Sequence, residues 1–300
     1  MMMPESFTPG ALPSRDPDGH KGTFGTVGVV GGATGERVMV GSAALAALAA
    51  LRTGCGLATI AAPEPVINPI LSVAFEATGV ALPILPDGSL HASRAAELID
   101  THLATARVLA IGPGFGVGEA QRQVVLRLIS REQQPLVLDA DALTLLAGSQ
   151  GVQHDFHAPA ILTPHPGEFA RLAEAFEVDP RPEGEDQRVA AAAALASRLG
   201  VVVVLKGPRT VVTDGIRVHV NTTGNAGLAT GGSGDVLTGI CAGLVAQFLG
   251  RLDLLECAVW AAHLHGLAAD LLANHHGDSP RLARDLLDSI PQALLTIRGG

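Results

Sequence analysis

Cysteine and basic residues are both scarce in this chain of 300 residues. The three cysteines, Cys55, Cys241 and Cys257, are odd in number, widely spaced and set among apolar residues. This pattern favours buried thiols in a reducing compartment over disulfides or a metal site. The 20 lysines and arginines are outnumbered by 29 acidic residues, which gives a net charge of −9. Because nucleic-acid phosphates are bound mainly by excess Lys and Arg, this balance argues against a nucleic-acid partner.

The sequence also shows no pattern of a leader, a membrane span or a linker. Residues 1–10 lack a basic stretch followed by an apolar run, and no uninterrupted apolar run reaches the roughly 18 residues of a membrane span. We therefore expect a cytoplasmic protein. Residues 1–20, which include four prolines, are predicted to form an irregular arm. Residues 21–300 are predicted to form one domain, because no Pro/Ser-rich linker or charge block divides them.

Two common phosphate-binding motifs are missing as well. The chain contains no Gly-x-x-x-x-Gly-Lys-Ser/Thr, and the glycines of residues 112–118 have the wrong spacing for the dinucleotide fingerprint. A Rossmann dehydrogenase is therefore disfavoured.

The chain does contain short apolar, β-branched runs that alternate with Ala/Leu-rich segments of helical length. This alternation predicts an α/β fold with a mostly parallel sheet and helices on both faces. The predicted strands are residues 26–30, 57–61, 108–111, 136–138, 160–162 and 201–205. The predicted helices are residues 42–52, 121–130, 166–176, 187–199, 254–273 and 283–290. Residues 210–213 and 216–220 flank Asp214-Gly215, which predicts an antiparallel hairpin at one edge.

The most informative segment is the glycine-rich stretch 225–235 (NAGLATGGSGD), which leads into the apolar residues 236–249. Backbone amides of such a loop, together with the positive end of a helix dipole, form an anion site. Asp235 could simply favour the helix start, with Ser233 as its cap. That alternative leaves the crowded glycines unexplained, whereas a general base beside a phosphate cradle explains both features. We therefore predict that Asp235 takes a proton from an attacking hydroxyl.

A second candidate region is the loop that begins at Lys206, where a predicted strand ends. Ligands of such sheets collect beyond the carboxyl ends of the strands. The alternative for Lys206 is a charge that reaches solvent, but Arg209 and Thr210 add donors to the same loop and favour a nucleotide contact.

Carboxylates and histidines follow other strands. Asp139, Asp141 and Glu168 could hold Mg²⁺ through water, although helix capping is the favoured interpretation for all three. His165 lies between two prolines and is predicted to contact a ligand. By contrast, His263 and His265 are expected to be ordinary packed side chains of a helix.

Seven motifs in order resemble those of nucleotide-dependent NAD(P)H-hydrate dehydratases, members of the ribokinase-like superfamily. The resemblance spans roughly residues 21–291 and implies a ribokinase-like three-layer sandwich. The motifs are KGTFG at 21–25, GSAALAALAALRTGCG at 41–56, IGPGFG at 111–116, LDADAL at 138–143, LTPHPGEFARL at 162–172, LKGPRTVV at 205–212 and GNAGLATGGSGDVLTGICAGLVAQ at 224–247.

The resemblance implies a carbon–oxygen lyase that repairs the hydrated S form of NADH or NADPH with ADP or ATP. The ring hydroxyl would be phosphorylated, and loss of phosphate would restore the dihydropyridine. It also implies Mg²⁺ accompanying the nucleotide, a homotetramer, and a separate epimerase chain acting beside this one. The implied catalytic residues are Asp235, Gly232, Ser233 and Gly234, within the charge-stabilising stretch 231–234. The implied nucleotide contacts are Lys206, Gly207, Pro208, Arg209, Thr210 and Gly234. The implied substrate contacts are Ser42, Ala43, Gly114, Gly116, His165 and Asp235, and the metal candidates are Asp139 and Glu168 through water.

The chain departs from the family pattern in the loop 33–40, which is longer than in relatives, and at Ser42, where alanine is usual. Two alternatives stay open. A vitamin-precursor kinase of the same superfamily would share the cradle and the base, although His165 and the residues 139–143 favour the dehydratase. A nucleotide sensor without turnover would keep the same glycine loop.

Overall fold

The computed structural model describes residues 4–149, 151–179, 181–276 and 282–299, and within them one ten-stranded sheet is flanked by helices. The strands are β1 (Glu5–Ser6), β2 (Thr26–Val30), β3 (Leu57–Pro63), β4 (Thr78–Leu82), β5 (Val108–Ile111), β6 (Leu136–Leu138), β7 (Ala160–Leu162), β8 (Val202–Leu205), β9 (Val211–Thr213) and β10 (Arg217–Val220). The helices are α1 (Gly41–Thr53), α2 (Glu64–Val73), α3 (Ala92–His102), α4 (Glu119–Ile129), α5 (Asp141–Ala147), α6 (Pro166–Ala175), α7 (Gly184–Leu199), α8 (Ser233–Phe248), α9 (Leu254–His276) and α10 (Ala283–Ile297).

The strand order is β1-β10-β9-β8-β7-β6-β5-β2-β3-β4. From β8 to β4 every neighbouring pair is parallel. The predicted hairpin around Asp214-Gly215 is confirmed, because β9 pairs antiparallel with both β8 and β10. The strand β1 was not predicted. It lies in the N-terminal arm and pairs in parallel with β10, so the arm covers the edge that the hairpin would otherwise leave open.

Two apolar cores lie on opposite faces of the sheet. Along β2, Val27 and Val29 pack into one core while Val30 packs into the other, as the two-residue period of a strand requires. The first core is covered by α1, α2, α8, α9 and α10, and the second by α3 to α7. The predicted arrangement of helices on both faces of a mostly parallel sheet is therefore confirmed, and it forms three layers.

The contact between α1 and α8, the most extensive between two helices of the described residues, depends on small residues. A Cβ added at Gly239 would lie 2.1 Å from the carbonyl oxygen of Ala46, and one at Gly243 would lie 2.9 Å from that of Ala50. Glycine at these positions, one turn apart, lets the two backbones touch. The contact brings the start of α1 beside the start of α8.

All three cysteines are buried and free of disulfides, as predicted. Burial raises the pKa of each thiol, which keeps it protonated and unreactive at neutral pH. No helix among the described residues has the length and apolarity needed to cross a membrane.

Candidate active site

The first part of the site lies where the strand order reverses, at β2 between β5 and β3. Loops that leave such a point diverge and open a crevice at the carboxyl ends of the strands. Here the loops are residues 31–40 after β2 and residues 112–116 after β5. They touch each other, since the Gly32 amide donates to the Pro113 carbonyl at 3.1 Å. Met39 lies over Gly114, at which an added Cβ would be 2.9 Å from the Met39 Cβ.

Most of the predicted substrate contacts meet at this crevice. The Cβ of Ser42 lies 3.3 Å from the position that a Cβ on Gly114 would occupy. Ala43 packs against Gly31 and is fully buried, so its contact with a hydrate stays a prediction. The amide of Gly116 donates to the Asp141 carboxylate at 2.8 Å. Asp141 therefore holds the second loop in place from the first turn of α5.

His165 lies on a different loop, at the start of α6. Its Nδ1 accepts from the Glu168 amide at 3.4 Å, and the Glu168 carboxylate accepts from the His165 amide at 2.8 Å. This reciprocal pair is a capping box, so the predicted capping role of Glu168 is confirmed. The His165 side chain is 52% exposed, which leaves its other face open to a ligand.

The glycine-rich turn forms the start of α8. Gly232 occupies the N-cap position with φ +95°, a left-handed conformation that favours glycine. The alternative role of Ser233 as the cap is wrong, because Ser233 is already helical and its hydroxyl donates to the Leu228 carbonyl at 2.7 Å. Gly231 is exposed with open space around it. The first turn of α8 thus begins next to the open backbone of Gly231, as an anion site requires.

Asp235 is half-buried in the first turn of α8 and is hydrogen-bonded to Ser42. Burial, reinforced by the negative charges of Asp139 and Asp141, raises the pKa of Asp235 to about 7, although Ser42 and Lys206 act in the opposite direction. A carboxyl with a pKa near neutrality can take up a proton and release it again, which suits a general base.

A buried charge cluster lies directly behind the turn. Lys206 Nζ is 2.8 Å from Asp139 Oδ1 and 3.8 Å from Glu168 Oε2. The Thr238 hydroxyl donates to Asp139 Oδ2 at 2.8 Å. A Cβ on Gly234 would lie only 3.2 Å from the Lys206 ammonium, so this charge faces the start of α8.

Two alternatives are corrected by this cluster. Lys206 does not extend into solvent, since its side chain is 18% exposed and paired with Asp139. Asp139 does not cap α5, whose N-cap is Ala140 with φ +50° and no side-chain hydrogen bond. Burial alone would lower the pKa of Lys206, but the carboxylates outweigh burial and hold that pKa above its usual value. Burial also raises the pKa of Glu168, while Lys206 opposes this rise.

A cavity of about 410 Å³ opens beside the cluster and the turn. All the predicted nucleotide contacts line it, namely Lys206, Gly207, Pro208, Arg209, Thr210 and Gly234. The structure therefore brings them together at one cavity, and Gly234 joins that cavity to Asp235. A larger open hollow of about 970 Å³, lined by Arg107 and Arg131, lies near the amino ends of β5 and β6, away from this chemistry.

Arg188 of α7 supports the loop at residues 206–210. Its guanidinium donates to the Pro208 carbonyl at 2.6 Å and to the Leu205 carbonyl at 3.3 Å. Arg209 has φ +54°, which is uncommon for a residue with a side chain, and its guanidinium pairs with Glu185. Arg209 therefore offers its backbone to the cavity while its charge is engaged at the surface.

A second set of residues that line the cavity was missed by the sequence analysis. It includes Asn221, Thr223, Asn225 and His265. Asp270 of α9 holds this wall, because its two carboxylate oxygens accept from the Gly224 amide and the Asn225 side chain, each at 2.8 Å. The interpretation of His265 as an ordinary packed residue was incomplete. A usable signal was present in residues 221–225 (NTTGN), a polar run directly after β10.

Direct metal ligation has little support within the described part of the chain. It contains no group of three or more His, Cys, Asp or Glu side chains that could hold a metal ion. Both oxygens of Asp139 already accept from protein donors. A Mg²⁺ ion would therefore fit here only with a nucleotide's phosphates as ligands and with these carboxylates reached through water.

The family model described as NAD(P)H-hydrate dehydratase matches residues 27–292. The chain is 42% identical over 285 residues to a bifunctional NAD(P)H-hydrate repair enzyme of Moorella thermoacetica, covering 94% of this chain and 52% of that protein. It thus spans about half the length of that curated relative.

Solved structures of similar proteins match almost the whole of this chain. A Bacillus subtilis ADP/ATP-dependent NAD(P)H-hydrate dehydratase, co-crystallised with ATP and Mg²⁺, is 36% identical with a TM-score of 0.78, covering 96% of this chain and 95% of that one. A ribokinase-like superfamily protein of Enterococcus faecalis is 27% identical with a TM-score of 0.78, covering 95% and 92%. The fold is therefore ribokinase-like, and the chain belongs to the NAD(P)H-hydrate dehydratase family.

Proposed function

We propose that this chain dehydrates hydrated NADH or NADPH at the expense of ADP or ATP. One observation carries the proposal: Asp235 is joined to the crevice through Ser42 and to the nucleotide cavity through Gly234. A carboxylate with a raised pKa therefore stands between a site for the hydrate and a site for the nucleotide. This is the position that a base needs in order to activate a hydroxyl toward a phosphoryl group.

The chemistry proceeds in two steps. Asp235 takes the proton of the ring hydroxyl while the oxygen of that hydroxyl bonds to the terminal phosphorus of the nucleotide, and the bond from that phosphorus to the bridging oxygen breaks. The nucleotide product is AMP when ADP is the donor and ADP when ATP is the donor. In the second step the carbon–oxygen bond of the phosphorylated hydrate breaks and phosphate departs with the bonding pair, while the neighbouring ring carbon gives its proton to water and forms the double bond that restores the dihydropyridine.

The chain's own groups stabilise the transferred charge. The amides of residues 231–234 and the ammonium of Lys206 would face the terminal phosphate. Mg²⁺ would arrive with the nucleotide and neutralise its phosphate oxygens. Glu168 and Asp139 would contact that ion only through water.

Two alternatives make different products. A vitamin-precursor kinase with this fold would release a stable phosphorylated alcohol, and a sensor would bind nucleotide without consuming it. The presence of Asp235 in a complete glycine turn argues against the sensor. The likeness to the Bacillus subtilis dehydratase at 36% identity over 96% of the chain favours the dehydratase over the kinase.

The test uses purified protein with Mg²⁺, hydrated NADH or NADPH, and either ADP or ATP. We expect the dihydronicotinamide absorbance to recover with release of one phosphate per hydrate. The rates of absorbance recovery for the four combinations of hydrate and nucleotide show which hydrate and which nucleotide are preferred. A stable phosphorylated product without recovery of absorbance would establish the kinase instead, and binding without nucleotide consumption would establish the sensor.

The proposal includes a cytoplasmic homotetramer and a separate epimerase chain that supplies the reactive epimer. Light scattering on the purified protein measures the assembly directly. Adding an epimerase to a mixture of both epimers should raise the converted fraction toward completion.

A further inference from the structure

The loop that follows β2 forms a small hairpin at the crevice. The amide of Ala33 donates to the Met39 carbonyl at 3.2 Å, and the amide of Met39 donates to the Ala33 carbonyl at 3.0 Å. Residues 34–38 connect this pair, and residues 35–38 of the connection are exposed. Gly35 takes a left-handed φ of +102°, which glycine tolerates in a tight turn. The hairpin is therefore closed by backbone hydrogen bonds and presents an exposed turn.

Both arms of this hairpin pack on the loop that follows β5. The Cβ of Ala33 lies 3.6 Å from the position of a Cβ added at Gly116. The Cβ of Met39 lies 2.9 Å from the position of a Cβ added at Gly114, and the Cβ of Ser42 lies 3.3 Å from that same position. The hairpin therefore borders three of the predicted substrate contacts, and its turn stands at the rim of the crevice.

Arg37 carries the positive charge of this turn. It makes no hydrogen bond and no ion pair with any described residue, in contrast to Arg209, which pairs with Glu185. Arg37 is two residues from Met39, so their Cα atoms are at most about 7 Å apart. Its guanidinium therefore lies near the rim of the crevice with its N–H donors available to a ligand.

The walls of the crevice are otherwise poor in positive charge. Two segments form them, residues 31–45 and residues 112–118, and Arg37 is the only lysine or arginine in either. Asp141, which accepts from the second segment, and Asp235 add negative charge. These carboxylates repel the phosphates of a dinucleotide. A guanidinium binds phosphate in a bidentate manner, and among these segments Arg37 alone offers one.

The chemistry of the hydrate places its phosphates toward this rim. Under the proposed function the ring of the hydrate lies deepest, because its hydroxyl gives a proton to Asp235. One ribose separates the ring from the diphosphate, so the diphosphate lies further out. The adenosine ribose, which in NADPH carries an additional phosphate, lies further out still.

We propose that Arg37 is a substrate-binding residue whose guanidinium pairs with a phosphate group of the hydrated dinucleotide at the rim of the crevice. The inference rests on the proposed function for the identity of the hydrate. Binding without turnover tests it.

The experiment measures the dissociation constants of hydrated NADH and hydrated NADPH by calorimetry without nucleotide, and that of ADP with Mg²⁺ separately. Arg37→Gln removes the charge and keeps a polar side chain. We expect this variant to bind hydrate about tenfold more weakly, while its ADP affinity changes less than about twofold. Arg37→Lys keeps the charge without the planar fork, so we expect a smaller loss of about threefold.

The two hydrates identify the phosphate. Equal losses for both in Arg37→Gln assign the contact to the diphosphate, which both hydrates carry. A loss confined to hydrated NADPH assigns it to the additional phosphate on the adenosine ribose. Unchanged affinity for both hydrates would overturn the proposal, as would a loss of ADP affinity as large as the loss of hydrate affinity.

The matched control is Glu36→Gln. Glu36 is the neighbouring residue of the same exposed turn, and its replacement changes the net charge by the same amount in the opposite direction. A mere field effect of the turn would make Glu36→Gln strengthen hydrate binding as much as Arg37→Gln weakens it. We expect a change of less than about twofold in Glu36→Gln, and an equal and opposite change contradicts a direct contact.

The binding data also separate this inference from the proposed function. If the unmodified protein binds the hydrate and does not convert it, the proposed dehydratase activity is removed and the comparison of variants stays valid. Conversion of the hydrate together with unchanged binding in Arg37→Gln removes only the role of Arg37. An unmodified protein that binds neither hydrate contradicts both.

Discussion

The ammonium of Lys206 lies 2.8 Å from a carboxylate oxygen of Asp139, and the pair is buried directly behind Gly234. Because Thr238 donates to the other oxygen of Asp139, the carboxylate ties the end of β8 to α8. Lys206 is thus held beside the predicted anion site by the protein itself. Entering phosphate would share the ammonium with Asp139 rather than recruit it from solvent.

Replacing Lys206 by methionine should both destabilise the fold and weaken nucleotide binding. Asp139 is 2% exposed, so loss of its partner leaves a buried charge, which typically costs about 3–5 kcal/mol. We expect the double variant Lys206→Met/Asp139→Asn to be more stable than Lys206→Met alone, because the uncompensated charge is gone. Urea unfolding measures the stability of the single and the double variant, and calorimetry with ADP measures nucleotide binding. Lys21→Met, at an exposed lysine, is the control, and equal losses in it would contradict the pairing.

Asp235→Asn should retain ADP binding and lose turnover by about a hundredfold or more, because a general base is removed while the turn stays intact. Absorbance recovery from hydrated NADH gives the rate, and calorimetry gives the affinity. Asp87→Asn, in an exposed turn, should leave both unchanged. Normal turnover in Asp235→Asn would exclude this carboxylate as the base.

Activity should fall as the pH drops below about 7. The pKa of Asp235 is raised to about 7, and a base works only when deprotonated, so protonation on the acid side removes the reactive form. The groups that act on it are Asp139 and Asp141, which raise the pKa, and Ser42 and Lys206, which lower it. Ser42→Ala should therefore shift the acid side of the pH profile of kcat/KM to higher pH. An acid limb that stays in place in this variant argues against the hydrogen bond between Ser42 and Asp235.

Gly239→Ala should destabilise the protein by about 1–3 kcal/mol, because the added carbon would meet the Ala46 carbonyl at 2.1 Å and force α1 and α8 apart. We also expect reduced turnover, since the separation moves Ser42 away from Asp235. Thermal unfolding and initial rates measure these two effects. Gly41→Ala, at the start of α1 and with open space around it, is the control and should be at least as stable as the unmodified protein.

The sequence predicted the central strands well for a physical reason. The strands at residues 26–30, 108–111, 136–138 and 160–162 have the predicted bounds, because strands buried on both faces are continuous apolar runs bounded by glycine, proline or charge. The strand β4 was missed. It lies at the edge of the sheet with most of its residues exposed, and edge strands carry no such run.

Helices α2 and α3 were missed for a similar reason. Pro69 interrupts the pattern of α2, and α3 buries only Ala95 and Ile99. At the candidate site, the glycine turn and the loop after Lys206 were found because their composition is unusual. His265 was not found, because a histidine inside an Ala/Leu helix gives no sign that its ring lines a cavity. That position depends on how α9 packs against α8, which is a tertiary property.

The glycine contact between α1 and α8 has a mechanical consequence. Because their backbones are in direct contact, we expect α1 and α8 to move as one unit. The first turns that carry Ser42 and Asp235 should therefore keep their separation whether or not a ligand is bound. Under the proposed function, selection of the hydrate would then depend on the part of the crevice outside this helix pair, the exposed segment that contains Val38 and Met39. Exchanging that segment between relatives should alter which hydrated cofactor is accepted without disturbing proton removal.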